Sequence, residues 1–233
     1  MLDMAKRRFI AWLLENHPRV YFRWKRLETH RLCADRSFLK LHAKSLLDNE
    51  GLQGLEERYS LWSLTKAVAG RPGALAELGV YRGGSAKFIC AAKGDAPLHL
   101  FDTFDGMPPV DSAIDAKLRA GDYHDTCVEQ VRGYLAEFPN VYFHVGTFPL
   151  SATALENAGA TFKLVHLDVD LYSSTLAALT WFYPRMERGG LIVTHDYSDV
   201  RAPGVQQAFD EFFRNRPETV VPLWRTQAVV SRL

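Results

Sequence analysis

The chain has 233 residues, of which 47% are hydrophobic and 24% are charged, and its formal net charge at pH 7 is +1. This length supports one substantial hydrophobic core and suits a single α/β domain. The sequence contains no apolar stretch of membrane-spanning length, and its start lacks the pattern of a signal peptide. We therefore expect a soluble, cytoplasmic protein without a membrane span.

The cysteines exclude two further classes of protein. Cys33, Cys90 and Cys127 are odd in number, widely separated and without the paired spacing of metal ligands. This pattern argues against a disulfide framework and against a structural zinc site. We expect reduced thiols with no chemical role.

The charges are distributed unevenly along the chain. Residues 1–50 carry 11 Lys/Arg and 6 Asp/Glu, a net charge of +5, and the remainder carries 17 and 21, a net charge of −4. Residues 19–26 interleave basic and aromatic side chains, as nucleic-acid and membrane-surface segments do. A helical extension that packs on its own domain or on a second subunit has the same pattern. We favour packing, so nucleic acid is not expected as a partner, and this segment is a candidate homo-oligomer interface.

Apolar periodicity predicts helices in the first part of the chain and an α/β alternation after it. Helices are predicted at residues 4–16, 36–47 and 55–68. Strands are predicted at 73–78, 98–101, 141–145, 164–167 and 191–194, and helices at 84–92, 127–137, 174–188 and 204–215. This alternation implies βαβ crossovers and a mainly parallel sheet, and residues 219–223 and 228–232 have the pattern of a closing hairpin. We divide the chain into a helical extension, residues 1–70, as a candidate lid or oligomerisation element, and an α/β domain, residues 71–233.

The segment AELGVYRGGSAKF, residues 76–88, predicts a strand, a glycine-rich turn and a helix N-terminus. Its glycines allow a tight turn and close approach of a ligand, and the helix start offers free N–H groups to an anionic group. The spacing E-x-G-x-x-x-G-G-S differs from the dinucleotide pattern G-x-G-x-x-G, which favours S-adenosylmethionine over NAD. The candidate cofactor-binding residues in this segment are Glu77, Gly79, Tyr81, Gly83 and Ser85.

A second acid ends the next predicted strand. Asp102 follows the apolar residues 97–101, and ligands of open α/β sheets lie at the carboxyl ends of the strands. We therefore expect Asp102, with Thr103 beside it, to hold the ribose diol of the cofactor. The alternative is that Glu77 and Asp102 only cap turns or helices, as acids before a helix commonly do.

Four more segments complete a resemblance to a known family. FDTFDGMP (101–108), VGTF (145–148), HLDVDLYSST (166–175) and GGLIVTHDY (189–197), in this order after the glycine turn, resemble the macrocin-type sugar O-methyltransferases. The resemblance covers residues 72–197. It implies a Rossmann-like class I methyltransferase fold, with helices around a mainly parallel seven-stranded sheet whose last strand is antiparallel. It also implies S-adenosylmethionine as the methyl donor.

Carboxylates at the ends of two predicted strands point to a metal site. Asp168 and Asp170 end one strand, and their repulsion must be relieved by a metal, a cation or a proton. Asp196 ends the neighbouring strand, so Asp168 and Asp196 can converge on one hard cation. By the resemblance these two acids match family positions that bind magnesium, while His195 stands where the family usually has an acid. Imidazole suits manganese better than magnesium, so we expect Mg²⁺ or Mn²⁺, with His195 either a ligand or a hydrogen-bonding residue.

Asp170 is the candidate catalytic residue. By the resemblance it occupies the position proposed as the general base in some family members. The alternative is that it caps the helix that begins near residues 172–175. The long segment 106–126, which lacks predicted secondary structure, is a candidate cover for the substrate.

These observations predict an S-adenosylmethionine-dependent O-methyltransferase. Its partner would be a small-molecule hydroxyl acceptor, such as a sugar or a related natural product. Two alternatives stay open. One is a non-catalytic nucleoside-binding module whose basic N-terminus docks an anionic partner, and the other is a nucleotide-sugar or dinucleotide enzyme, which the glycine spacing disfavours.

Overall fold

The computed structural model describes residues 3–25, 27, 30–48 and 52–233. Within these residues seven strands form one sheet in the order β3-β2-β1-β4-β5-β7-β6. The first five strands pair in parallel, and β7 pairs antiparallel with both β5 and β6. The strands are β1 Ala74–Leu78, β2 Leu98–Asp102, β3 Val141–Val145, β4 Phe162–Leu167, β5 Met186–Thr194, β6 Val221–Pro222 and β7 Ala228–Ser231. The predicted sheet and its closing hairpin are therefore confirmed.

Helices cover both faces of the sheet and form the N-terminal part of the described chain. They are α1 Met4–Asn16, α2 Pro18–Trp24, α3 Arg36–Asp48, α4 Leu55–Ala67, α5 Gly84–Ala92, α6 Val128–Tyr134, α7 Thr153–Asn157, α8 Tyr172–Phe182 and α9 Pro203–Phe213. The sequence did not predict α2 or α7. Pro18 does follow the end of α1, but it also opens α2, where its missing N–H costs no hydrogen bond.

The prediction was wrong at the junction of α8 and β5. A helix was expected over residues 174–188, but α8 ends at Phe182, and Tyr183–Arg185 form a short 3₁₀ helix. Pro184 lies in this turn, where its ring and missing N–H oppose a continuing α-helix. Met186 already pairs with Phe162 of β4, so β5 begins five residues earlier than the predicted strand at 191–194.

Two hydrophobic layers position the ends of the strands. On one face of the sheet, Phe162 and Val165 of β4 pack with Phe182 of α8 and Phe209 of α9. On the other face, residues of α4, α5 and α6 pack against alternate side chains of β1, β2 and β4. Burial of a large apolar side chain contributes about 1.5–3 kcal/mol, so these layers fix the register of the central strands firmly.

The N-terminal helices pack against this α/β unit. Phe22, Phe38 and Trp62 form a buried cluster that includes Phe88 of α5. Of the basic and aromatic stretch 19–26, Arg26 lies outside the described residues, and the rest contributes both buried rings and exposed ones. No helix in the described ranges is long and apolar enough to cross a lipid bilayer. The predicted division at residue 70 stays a prediction.

Candidate active site

A cavity of about 440 Å³ opens at the carboxyl ends of β1, β2, β4 and β5. It lies where the strand order reverses, between β1 and β4, which is the usual ligand position in open α/β sheets. Backbone hydrogen bonds hold the strand ends side by side: Asp168 N donates to Leu78 O at 2.9 Å, and His195 N donates to Leu167 O at 2.8 Å. The volume lies within the range of small-molecule sites.

The glycine turn forms one wall of this cavity. Gly79, Tyr81 and Ser85 line it. Gly79 has a φ of +87°, and a Cβ added to it would overlap the carbonyl of Asp168, so glycine is required where β1 meets β4. Gly83 does not line the cavity as the described residues define it. It is the N-cap residue of α5, with a φ of +77°, and a Cβ added to it would lie 3.0 Å from Val131 Cγ1.

Glu77 lies beneath the turn and does not reach the cavity surface formed by the described residues. Its side chain is 0% exposed, and its Oε1 lies 2.7 Å from Nδ1 of the buried His166. Burial raises the pKa of Glu77, and the contact with His166 opposes this rise. The sequence predicted direct contact of Glu77 with the cofactor; in the structure this side chain is paired with His166 of β4 and does not line the cavity.

Asp102 lines the cavity and also organises the turn. Its Oδ2 accepts the backbone N–H groups of Val80 and Tyr81 at 2.7 and 2.8 Å, and its Oδ1 accepts that of Phe104 at 2.7 Å. A carboxylate offers about four acceptor positions, so these three bonds leave about one for a ligand hydroxyl. Thr103, which also lines the cavity, donates its hydroxyl to Gly106 O at 2.8 Å and so anchors the following loop.

The predicted acid cluster forms the opposite wall. Asp168, Asp170, His195 and Asp196 all line the cavity. One ligand atom from each of Asp168, His195 and Asp196 lies within 4.8 Å of the others. His195 Nδ1 is 2.8 Å from Asp196 Oδ2 and 3.3 Å from Asp168 Oδ1. Two ligands bound at about 2.1 Å and at right angles lie about 3.0 Å apart, so these donors fit one divalent ion. One imidazole with two carboxylates suits Mn²⁺ better than Mg²⁺.

The pKa values of the acids in this cluster are shifted in opposite directions, upward by burial and mutual repulsion and downward by the neighbouring His195. Burial raises the pKa of Asp170, and the neighbouring Asp196 and Asp168 raise it further. Burial also raises the pKa of Asp196. For Asp168 the charge and hydrogen bond of His195 outweigh burial and hold the pKa well below its usual range. Burial would lower the pKa of His195, but the surrounding carboxylates raise it strongly.

Two of these acids adopt left-handed backbone conformations. Asp170 has a φ of +59° and Asp196 a φ of +61°. Such residues carry local strain and cluster at functional sites. Asp170 does not cap α8, which was its alternative role. Leu171 occupies the N-cap position of this helix, and Tyr172 N donates to Asp115 Oδ2 at 3.0 Å. Asp170 is therefore left facing the cavity.

Residues 106–126 cover part of the cavity. Gly106, Met107 and Tyr123 line it. The two ends of this loop are joined by backbone hydrogen bonds, from Met107 N to Asp122 O at 2.8 Å and from Gly121 N to Met107 O at 2.9 Å. The buried Asp115 ties the middle of the loop to the start of α8. The role of this loop as a cover for the substrate stays a prediction.

Sequence reasoning missed the residues that reach the cluster from other parts of the chain. Gln53 Nε2 donates to Asp168 Oδ2 at 3.0 Å, and Glu57 Oε1 lies 3.3 Å from His195 Nε2. Thr226, near β7, donates its hydroxyl to Glu57 Oε1 at 3.1 Å. Arg201 also lines the cavity. No spacing signal connects residues this far apart, and a polar residue before a helix is ordinary, so the sequence offered no means of finding them.

The fold and the position of the cavity are those of Rossmann-like class I methyltransferases. The structure matches that of the O-methyltransferase NovP with a TM-score of 0.67 and 26% identity, over 77% of this chain and 80% of that one. It also matches the calicheamicin methyltransferase CalS11, with a TM-score of 0.67 and 19% identity over 99% of this chain and 94% of that one, which is a likeness of fold. The family model for macrocin-O-methyltransferase (TylF) matches residues 42–229, and the chain belongs to this family.

Two sequence relatives are named O-methyltransferases. The 8-demethyl-8-(2,3-dimethoxy-alpha-L-rhamnosyl)-tetracenomycin-C 4'-O-methyltransferase of Streptomyces olivaceus is 33% identical over 149 residues, which are 58% of this chain and 56% of that protein. The demethyldecarbamoylnovobiocin O-methyltransferase of Streptomyces niveus is 30% identical over 158 residues, 60% of this chain and 58% of that protein. The chain thus spans less than two thirds of the length of these relatives.

Proposed function

We propose that this chain is an S-adenosylmethionine-dependent O-methyltransferase that acts on a hydroxyl of a small polar acceptor, of the sugar or natural-product type. The observation that carries the proposal is that one cavity joins the glycine turn and Asp102 on one side to the acid cluster on the other. A cofactor and a hydroxyl acceptor would therefore meet inside it. Family membership and the O-methyltransferase names of both relatives support the same activity.

The cofactor would bind along the glycine turn. Gly79, Tyr81, Ser85, Asp102 and Thr103 line this side, and Asp102 has about one acceptor position left for a ribose hydroxyl. Glu77 and Gly83 would act indirectly, because they shape the turn. When bound, S-adenosylmethionine supplies an electrophilic methyl group, so the protein has to align the acceptor oxygen with it and exclude water.

The acceptor would bind on the side of the acid cluster. Asp168, His195 and Asp196 would hold Mg²⁺ or Mn²⁺, and the imidazole donor favours Mn²⁺. When bound, such a cation would supply a Lewis acid that orients acceptor hydroxyls and lowers their pKa. Asp170 lines the same space and would take up the proton of the reacting hydroxyl. Residues 106–126 would shield the site from water. The cytoplasmic location stays a prediction.

Two measurements on the purified protein test this function. Calorimetric titration with S-adenosylmethionine should show saturable binding that Asp102→Asn weakens and that Asp105→Asn, an exposed acid three residues further on, leaves unchanged. Incubation with glycosylated and polyhydroxylated acceptors should then yield products with one added methyl group by mass spectrometry. Binding without transfer to any acceptor would favour the non-catalytic nucleoside-binding module, and absence of binding would refute the proposal.

A further inference from the structure

A buried carboxylate from the N-terminal helices stands directly behind His195. From this arrangement we infer that Glu57 of α4 is a positioning residue, which orients the His195 imidazole so that its Nδ1 serves the metal site. The inference rests on the metal site proposed above. It gives α4 a role in the metal site, whereas the sequence suggested that residues 1–70 form a lid or an oligomer contact.

The Glu57 carboxylate is held by partners from three segments. Its side chain is 6% exposed, and Oε1 lies 3.3 Å from His195 Nε2. The same oxygen accepts the Thr226 hydroxyl at 3.1 Å. Oε2 accepts the backbone N–H of Gly54 at 2.8 Å, in the capping box that begins α4. One oxygen therefore caps the helix while the other faces the imidazole.

This arrangement fixes which ring nitrogen carries the proton when His195 is a metal ligand. A carboxylate only accepts hydrogen bonds, so the nitrogen facing Glu57, Nε2, keeps its hydrogen. The lone pair of the neutral ring is then on Nδ1, the atom that lies between Asp168 Oδ1 and Asp196 Oδ2. A carboxylate behind a histidine ligand holds the ring in place and increases its basicity, and loss of such a partner typically weakens metal affinity 10- to 100-fold.

The negative charge of Glu57 also fits this role. With a neutral His195, the protein supplies two carboxylates to the ion directly and a third through the imidazole. The third charge is therefore only one ring away from the ion, in a buried setting where screening by solvent is weak. If Glu57 only capped α4, its contact with Gly54 would be sufficient. Loss of its contact with His195 would then leave the metal affinity unchanged.

Glu57→Gln tests the inference because a glutamine oxygen can still accept the N–H of Gly54 while its amide group opposes the Nε2 hydrogen. Glu56→Gln is the matched control: it removes the same charge one residue earlier, at a side chain that lies 3.7 Å from Arg225, a cation that also lies 3.8 Å from Glu57 Oε2. Mn²⁺ affinity is measured from the electron paramagnetic resonance signal of the free ion, and S-adenosylmethionine affinity by calorimetry. We expect Glu57→Gln to weaken Mn²⁺ binding at least 10-fold, Glu56→Gln to leave it within about 2-fold, and both to retain the wild-type cofactor affinity.

A second variant covers the case in which Glu57→Gln does not fold. Thr226→Val removes one partner of Oε1, together with a 3.4 Å contact to His195 Nε2, without touching the cap of α4, and it should weaken Mn²⁺ binding by a smaller factor. In the Zn²⁺-loaded wild type, ¹⁵N NMR should show a hydrogen on His195 Nε2. Unchanged Mn²⁺ affinity in Glu57→Gln and Thr226→Val, equal weakening in Glu56→Gln, or a hydrogen on Nδ1 would each overturn the inference.

The same data separate this inference from the proposed function. A wild type that binds S-adenosylmethionine and methylates an acceptor but binds no divalent ion overturns the role of Glu57 and leaves the transferase standing. A wild type that binds Mn²⁺ with the expected differences between variants but never binds S-adenosylmethionine overturns the transferase and supports Glu57.

Discussion

Replacement of Gly79 by alanine should distort the point where β1 meets β4. Gly79 has a φ of +87°, and an added Cβ would lie 2.7 Å from the carbonyl carbon of Asp168 and 3.3 Å from Val169 Cγ1. The first of these atoms is backbone, so no side-chain rotation relieves the overlap. The strand ends would have to separate, and the backbone of Asp168 would move away from its place beside Gly79.

Two costs contribute to the expected loss of stability. A non-glycine residue in the left-handed region costs about 1–2 kcal/mol, and overpacking of a well-packed site costs about 1–3 kcal/mol. Together they predict a loss of about 2–5 kcal/mol, a large part of the 5–15 kcal/mol that is typical of a folded protein. S-adenosylmethionine affinity should fall as well, because Gly79 lines the cavity.

Gly94→Ala separates the two costs. Gly94 also has a positive φ, +62°, but a Cβ there would meet no atom within 4 Å. This variant should lose about 1–2 kcal/mol and retain cofactor affinity. Urea unfolding with a common slope compares both variants with the wild type. Equal losses in the two variants would refute the argument that close contact between β1 and β4 requires glycine at position 79.

Three further predictions concern the catalytic acid, the covering loop and the N-terminal surface. Asp170→Asn should reduce turnover about 10²- to 10⁴-fold with S-adenosylmethionine affinity unchanged, and an unchanged rate would remove Asp170 as the base. Asp115→Ala removes the carboxylate that accepts the hydrogen bond of Tyr172 N, and it should lower the free energy of unfolding in urea by about 0.5–2 kcal/mol. It should also raise the KM for the methyl-accepting substrate. An unaltered KM would contradict the role of the loop as a cover. On the basic N-terminal segment, Trp12 and Trp24 are 50% and 68% exposed. If this segment binds a second copy of the chain, Trp24→Glu should reduce the molecular mass measured by light scattering. A monomeric wild type would contradict the predicted oligomer.

The sequence predicted that Asp168 and Asp196 lie close together, and this proximity follows from the topology of the sheet. Asp168 and Asp196 each follow an apolar run, and neighbouring parallel strands end at the same edge of the sheet. Once β4 and β5 are parallel neighbours, acids that follow the two strands lie close together whatever the other residues are. The same logic placed Asp102 at the cavity.

Two other features could not be obtained in this way. β1 is buried on both faces, so alternation along the strand does not tell which way Glu77 points, and its partner His166 is 89 residues away. The contact between Glu57 and His195 depends on how α4 packs against the sheet. That packing is decided by tertiary contacts, such as those of Leu61 of α4 in the hydrophobic layer shared with α5, β1 and β2. Local sequence patterns carry no record of such packing.

The most direct test of the account is a crystal structure of the protein with S-adenosylhomocysteine and Mn²⁺. We predict that the nucleoside lies between the glycine turn and Asp102, and that an anomalous manganese peak lies among Asp168, His195 and Asp196. A cofactor bound elsewhere, or a cavity without S-adenosylhomocysteine at saturating concentration, would contradict the account.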